Sequence, residues 1–404
     1  MYYEKGRKLV MTKKIFIIII IFNFLIQSIT FAKSEKQNID ISFAPKVLSE
    51  HCICIERTTK QILFEKDAYS KCPMASTTKI LTAIIIIENC DLNEKIEISK
   101  TAANVGGSTL GIIAGQKITI KTLLYGLLLR SGNDTAVALA EYVSGSVEEF
   151  SNVMNKKAKE IGLKNSNFVT PHGLDNADHY TTAYDLAILT DYALNNKIFL
   201  EIVGTKQTTM RVGDYDRVLN NTNELLGNVN GVYGVKTGFT GNAGRCLVTA
   251  CKRGELDIII IVLKANSKNM RGEDTKKIIE YVFENFKMVD TEEEIEKIFQ
   301  YLKNNKKFEV VKALSEIKIC YKKRKNYICP LDKNKLQNLR TSIYCFERLE
   351  APLKKDAIIG KIRLICDSQI LYEIDICVSK NVDRIDWKKY IFIFVKKYIT
   401  FYSI

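Results

Sequence analysis

The sequence predicts an α+β fold: an antiparallel sheet with helices packed on it, followed by a smaller C-terminal β domain. Three observations predict it. Two alternating segments stand near the N-terminus, helix-periodic segments fill the middle, and three alternating segments run in series before a closing helix. Beyond residue 291 the texture changes to short alternating stretches.

Taken in order, His51 to Glu56 and Gln61 to Glu65 alternate on either side of Arg57-Thr58-Thr59-Lys60, the pattern of an antiparallel hairpin. Pro73-Met74-Ala75-Ser76-Thr77-Thr78-Lys79 then runs into Ile80, Leu81, Ile84 and Ile87, which recur at helical spacing. This predicts a buried helix with Ser76 in its first turn and Lys79 one turn later on the same face. Ile118 to Leu129 is apolar at helical spacing and stops at Ser131-Gly132-Asn133, and a second helix begins at Asp134. The triplet is therefore a loop pinched between two helices. Phe168 to Asp175 is a turn-rich surface segment, followed by a helix from Thr182 to Leu194.

A β-meander follows: Val232 to Thr237, Arg245 to Lys252 and Asp257 to Leu263, with turns at Gly241-Asn242 and Gly254-Glu255. A helix from Arg271 to Phe286 closes the unit. Glu-rich residues 292–296 lead into a basic stretch, and alternating segments such as Ala357 to Ile365 and Ile370 to Val378 predict the small β domain. No internal repeat is evident.

The ends read differently from the body. Lys13-Lys14, an apolar run from Ile15 to Ile29, and Thr30-Phe31-Ala32 have the pattern of a secretory signal peptide cut after Ala32. At the other end Trp387, Tyr390, Ile391, Phe394, Val395, Tyr398 and Phe401 fall on one helical face, with Lys388, Lys389, Lys396 and Lys397 between them. That is an amphipathic basic helix suited to a bilayer interface. The expected organisation is a signal peptide over 1–32, a catalytic domain over 33–290, a β-rich domain over 291–384 and a membrane-associating tail over 385–404. Export to the outer face of the cytoplasmic membrane or the cell wall follows from it.

The chain has 404 residues and a formal net charge of +14, an excess that suits an anionic membrane or wall. No zinc-finger spacing, RNA-binding aromatic pattern or helix-turn-helix signal accompanies it, so nucleic acid is not an expected partner. Eleven cysteines are scattered without a disulfide framework and are expected to be mostly reduced; Cys52-Ile53-Cys54 points both thiols to one face of a strand, for packing. There is no Cys/His cluster for a metal and no glycine-rich phosphate loop, so no metal and no cofactor is expected.

The chemistry rests on three short patterns. A serine at a helix start feels the positive end of the dipole, and an amine one turn away can take its proton. Isoleucines around Lys79 disfavour its charged form and lower its pKa, which suits a base. Ser76-x-x-Lys79 alone is weak, since Ser315-Glu-Ile-Lys318 also matches. Ser131-x-Asn133 recurs as Ser267-Lys-Asn269 and Ser379-Lys-Asn381, whereas Lys236-Thr237-Gly238 occurs once. On a helix start, in an interhelical loop and on a strand, in that order, they make a specific signature.

With these motifs the chain resembles the low-molecular-mass penicillin-binding proteins, the serine-type D-Ala-D-Ala carboxypeptidases of bacterial cell walls. The resemblance extends through Pro73 to Thr82, Leu129 to Tyr142, Asn167 to Asp175 and Gly234 to Leu247. It implies the serine β-lactamase/penicillin-binding transpeptidase-like fold. It also implies that Ser76 attacks the carbonyl between two D-alanines, Lys79 takes its proton and Ser131 relays one to the leaving amine. Asn133 would orient the substrate, Lys236 would supply positive field, Thr237 would donate to a carboxylate, and the N–H groups of Ser76 and Phe239 would form an oxyanion hole beside Gly238. Arg271 matches a family arginine that holds the terminal carboxylate, although Arg245 also lies near the Lys-Thr-Gly strand. Partners implied are the peptidoglycan stem peptide and β-lactam antibiotics as covalent inhibitors.

Two other readings use the same residues. A β-lactamase of class A needs a glutamate-activated water, and Asn167 to Asp175 holds no glutamate. A non-catalytic wall-binding or sensing protein needs no nucleophile, yet the serine, both lysines and Asn133 are present. His172, in Thr-Pro-His-Gly, could in principle join a serine triad, but the serine–lysine pair leaves it no vacancy.

Overall fold

The computed structural model describes residues 44–388 except 325, together with 391, 392 and 395. The expected signal peptide, and from the tail Lys389, Tyr390, Phe394, Lys396, Lys397, Tyr398 and Phe401, lie outside the described residues.

The hairpin at the start is present, as β1 (His51–Glu56) and β2 (Ile62–Lys66). Its alternation decides two packing faces: Ile53 and Ile55 enter one core, Cys52 and Cys54 the other. The two cysteines therefore pack, as expected, and burial pushes the Cys52 thiol up to about 12. All eleven cysteines are free.

The helix after Ser76, α1 (Lys79–Asn89), is apolar nearly all round and buried from Lys79 to Ile87. Burying one such isoleucine contributes roughly 1.5–3 kcal/mol, so the turn that carries Ser76 is tied to a firmly anchored helix. Two short strands, β3 (Lys95–Glu97) and β4 (Lys117–Thr119), pair on either side of the short helix α2 (Lys100–Ala103). The stretch expected as one helix from Ile118 is thus divided: α3 spans Ile120–Leu129, and the Thr119 hydroxyl accepts from the Thr122 N–H to cap it. Four more helices, α4 (Asn133–Ser144), α5 (Val147–Ile161), α6 (Ala183–Leu194) and α7 (Lys197–Gly204), complete the helical layer. The hairpin β5 (Gln207–Val212) and β6 (Tyr215–Asn220) was not expected; β6 is exposed along most of its length, Tyr215 and Val218 included, and gives no clean alternation.

The meander forms β7 (Val232–Thr240), β8 (Gly244–Arg253) and β9 (Leu256–Ala265), closed by α8 (Lys268–Asn285). The five-stranded sheet has the order β2-β1-β9-β8-β7 and is antiparallel throughout. Inner strand β9 is apolar without a break from Ile258 to Leu263 because both faces are covered: Ile259, Ile261 and Leu263 meet the helical layer, and Ile258, Ile260 and Val262 meet the α8 side. At one edge β7 lies against the turn that precedes α1. That is where the site lies.

The Glu-rich stretch opens a further helix, α9 (Glu292–Asn305), which the sequence reading missed. Its three N-terminal glutamates and Lys303 complement the helix dipole, and Ile295, Phe299 and Leu302 are its buried stripe. It packs on a four-stranded sheet with the spatial order 319–321, 369–378, 358–366, 339–345, whose inner face carries Ile362, Leu364, Ile374 and Ile376.

Candidate active site

Ser76 stands in a 3₁₀ turn, Ala75–Thr78, that feeds directly into α1. The expected α-helical first turn is tighter because its hydroxyls fold back. Thr77 Oγ1 donates to the Met74 carbonyl at 2.6 Å and Thr78 Oγ1 to the Ala75 carbonyl at 2.8 Å. Ala75 itself takes φ +50°, an uncommon conformation for a side-chain-bearing residue and one found at functional sites. Ser76 remains partly exposed, whereas Lys79 is wholly buried.

Lys79 Nζ makes three contacts: Ser76 Oγ at 2.8 Å, Asn133 Oδ1 at 2.8 Å and the His172 carbonyl at 2.7 Å. Burial, and then the charge of Lys236, push its pKa well below that of an ordinary lysine, while Asp134 opposes them. The geometry suits the neutral amine. Two of its neighbours are pure acceptors and take its two hydrogens, leaving the lone pair for the Ser76 hydroxyl proton.

Asn133 is the first residue of α4, so the loop ends one residue earlier than expected. Its Nδ2 donates to the Gly106 carbonyl at 2.7 Å, which turns Oδ1 toward Lys79. Next to it, buried Asp134 accepts from the N–H groups of Leu110, Gly111 and Ile112 and so ties the facing loop to α4. Ser131 is buried beside them with φ +62°, a second strained residue in the same small region.

Edge strand β7 brings the third motif. A β-carbon on Gly238 would sit 3.1 Å from the Ser76 nitrogen and from the Met74 carbonyl, so the strand and the serine turn are as close as glycine permits. Lys236 is buried and donates to the Thr237 carbonyl at 2.9 Å. Burial and then Arg271 bring its pKa down to about 7. Thr237 Oγ1 lies 2.7 Å from Thr222 Oγ1. Phe239 is half exposed, and the Arg245 guanidinium stacks 3.6 Å from its ring centre.

Residues 38–267 match the family model described as D-alanyl-D-alanine carboxypeptidase, and residues 283–384 match that of the penicillin-binding protein 5 C-terminal domain. The chain belongs to the D-alanyl-D-alanine carboxypeptidase family. It is 32% identical to the D-alanyl-D-alanine carboxypeptidase DacF of Bacillus subtilis (strain 168), over 83% of this chain and 86% of that one. It is 36% identical to the D-alanyl-D-alanine carboxypeptidase of Streptomyces sp. (strain K15), over 56% and 84%. In structure it is similar to the Streptomyces K15 DD-transpeptidase, with a TM-score of 0.57, 33% identity, and 59% and 98% of the two chains covered. The D-alanyl-D-alanine carboxypeptidase DacD from Francisella tularensis shares the fold across both domains, with a TM-score of 0.71, 24% identity, and 88% and 99% covered.

In this carboxypeptidase the 168–181 loop is less superficial than its sequence suggests: Phe168, Pro171, His172 and Gly173 are buried under the serine turn. Gly173 has φ +83°, and a β-carbon there would fall 1.9 Å from the Ala75 carbonyl. His172 enters the cluster through its carbonyl, while its Nδ1 accepts from the Leu174 N–H. His179 Nδ1 accepts from Val169 N–H, so Nε2 carries the proton that reaches Thr78 Oγ1 at 2.8 Å. Asp175, the carboxylate nearest the end of β7, is occupied by Thr240 Oγ1 and Asn242 N. Among the described residues no group of three or more His, Cys, Asp or Glu side chains could hold a metal.

Arg271 lies in the first turn of the closing helix, as expected. It is buried on α8, and its Nε and Nη2 donate to Glu224 Oε1 and Oε2 at 3.0 and 2.8 Å. Its forked donors face a carboxylate of the protein itself. Sequence reasoning missed Glu224, Thr222, Asp134 and His179. Of these, only Asp134 carried a local signal, as the residue after Asn133.

Proposed function

We propose that Ser76 is the acylated nucleophile of this serine-type D-alanyl-D-alanine carboxypeptidase, which removes the terminal D-Ala from peptidoglycan pentapeptides and reacts with β-lactams in the same way. One observation carries the assignment: a buried, deprotonation-prone amine 2.8 Å from Ser76 Oγ, with both of its other contacts filled by acceptors. Lys79 takes the Ser76 proton as Oγ attacks the carbonyl between the two D-alanines. The oxyanion forms against the N–H groups of Ser76 and Phe239, and Ser131 passes a proton to the leaving D-Ala nitrogen. Water then attacks the acyl-enzyme with the same base. Asn133 holds Lys79 and keeps its second amide hydrogen for substrate. Lys236 lends positive field from beneath. Thr237, oriented by Thr222, donates to the terminal carboxylate.

The domain borders at 32, 290 and 384, export, and attachment through the tail belong to the same reading. Trp387, Ile391, Phe392 and Val395 are helical and exposed, which supports an interfacial tail. Among the described residues no helix is long and apolar enough to cross a membrane. The test is release of D-Ala from acyl-D-Ala-D-Ala. Ser76→Ala abolishes it while the protein stays folded; release by the variant at the wild-type rate would remove Ser76 from this role.

A further inference from the structure

A groove of about 590 Å³ opens in the helical layer beside the 168–181 loop. Val105, Val137 and Val147 line it together with His172, and two residues of opposite charge complete it, Lys100 from α2 and Glu148 from α5. Both charged residues are exposed, and neither forms an ion pair with any described residue. Their charges are therefore open to a ligand. The groove joins the catalytic cluster at three points. The His172 carbonyl accepts from Lys79 Nζ at 2.7 Å. Val137 lies about one helical turn after Asn133, on the same face of α4. Val105 precedes Gly106, whose carbonyl accepts from Asn133 Nδ2 at 2.7 Å.

We propose that this groove receives the side chain of the residue that precedes the two D-alanines, and that Lys100 and Glu148 make it selective for a diamino acid whose side chain ends in both an ammonium and a carboxylate. The proposal rests on the reading of Ser76 as the acylated nucleophile and of Asn133 as a substrate-orienting amide. In that reading Thr237 takes the terminal carboxylate, so the departing D-Ala is held by β7. The preceding residue stays with the acyl group beside Asn133, on the helical layer that, with the 168–181 loop, builds the groove. An aliphatic chain suits the three valines, and its two end charges suit Glu148 and Lys100. Apolar lining with a few placed polar groups is the arrangement that orients a small ligand. A lysine side chain, ending in an ammonium alone, satisfies Glu148 but brings a like charge to Lys100. The groove thus selects by repulsion as well as by attraction. The side chain of meso-diaminopimelate carries both groups at its end and satisfies both residues.

The experiment measures kcat/KM for D-Ala release by the full chain from peptides of the form acyl-X-D-Ala-D-Ala. X is meso-diaminopimelate, its side-chain carboxamide, L-lysine or Nε-acetyl-L-lysine. The proteins are wild type, Lys100→Gln and Glu148→Gln, both changed at exposed positions where effects on folding are usually small. The readout is the ratio between peptides, which a general loss of activity does not move. An exposed ion pair contributes up to about fivefold. Wild type is therefore expected to cleave the diaminopimelate peptide about threefold faster than its carboxamide, and about tenfold faster than the acetyl-lysine peptide. Lys100→Gln should remove the preference over the carboxamide. Glu148→Gln should remove the advantage of the lysine peptide over its acetylated form. Both wild-type preferences should shrink as salt rises.

Equal kcat/KM for all the peptides in wild type would overturn the proposal. Wild-type ratios in both variants would overturn it as well, since the selectivity would then lie elsewhere. Should one variant fail to fold, the other decides by its own ratio. No release of D-Ala from any of the peptides, or a penicillin adduct mapped away from Ser76, would instead reject the underlying site, and the groove's role with it.

Discussion

A β-carbon at Gly238 would lie 3.1 Å from the backbone nitrogen of Ser76, tighter than nearly all real contacts of that kind. The two N–H groups proposed for the oxyanion are therefore carried by segments already in contact. Gly238→Ala forces β7 away from the serine turn by a few tenths of an ångström. It is expected to slow penicillin acylation by at least about tenfold, in line with the loss caused by displaced oxyanion donors, while circular dichroism and thermal midpoint change little. A rate equal to wild type would show that the approach is not needed.

The motifs were legible because each is contiguous. Ser76 and Lys79 share one turn, Asn133 opens a helix and Lys236 to Phe239 follow one another on a strand, so local periodicity places them. Their union in space came from the order of motifs and the resemblance they carry. What was illegible is held by tertiary contact alone. Glu224 meets Arg271 across 47 positions of sequence, and nothing in Asn-Thr-Asn-Glu marks it. His179 reaches Thr78 across 101 positions. The β1–β2 hairpin, the meander and α8 were read to within a few residues because they are amphipathic or wholly apolar. The β5–β6 hairpin was missed because exposed Tyr215 and Val218 break its alternation, and α9 because its run of glutamates masks the Ile295, Phe299, Leu302 stripe.

Acid is expected to weaken the fold through the loop beneath the serine. Burial, with Lys79 as a further cause, brings the His172 pKa down to about 3 and the His179 pKa to about 4. Both values lie below the unfolded value of about 6.5. The unfolded chain then binds protons that the folded chain refuses, so stability is full above pH 6.5 and falls as pH drops toward 4. Each histidine contributes a slope of up to about 1.4 kcal/mol per pH unit in that window. His179→Gln, which can still donate to Thr78, should flatten the urea-derived stability profile between pH 6.5 and 4.5 by about one histidine's share. An unchanged slope would mean that His179 titrates normally in the fold.

The tail should bind anionic vesicles. Trp387 and Phe392 are about two-thirds exposed at 66% and 68%, and lysines stand between the apolar positions. Part of the attraction is electrostatic, so binding should weaken between low and physiological salt. A chain ending at Asp386 should lose most vesicle binding in a sedimentation assay. Equal binding by the shortened chain would assign the tail a role within the protein instead.

The central claim is that Lys79 activates Ser76, and the most direct measurement is the site and rate of the penicillin adduct. Mass mapping after brief exposure to benzylpenicillin should place the acyl group on Ser76, with none on Ser131 or Ser315. General-base help is typically worth roughly 10²–10⁴-fold, so Lys79→Ala should slow formation of that adduct by a factor in this range. An adduct on another serine, or a Lys79→Ala protein that acylates Ser76 as fast as wild type, would contradict the account.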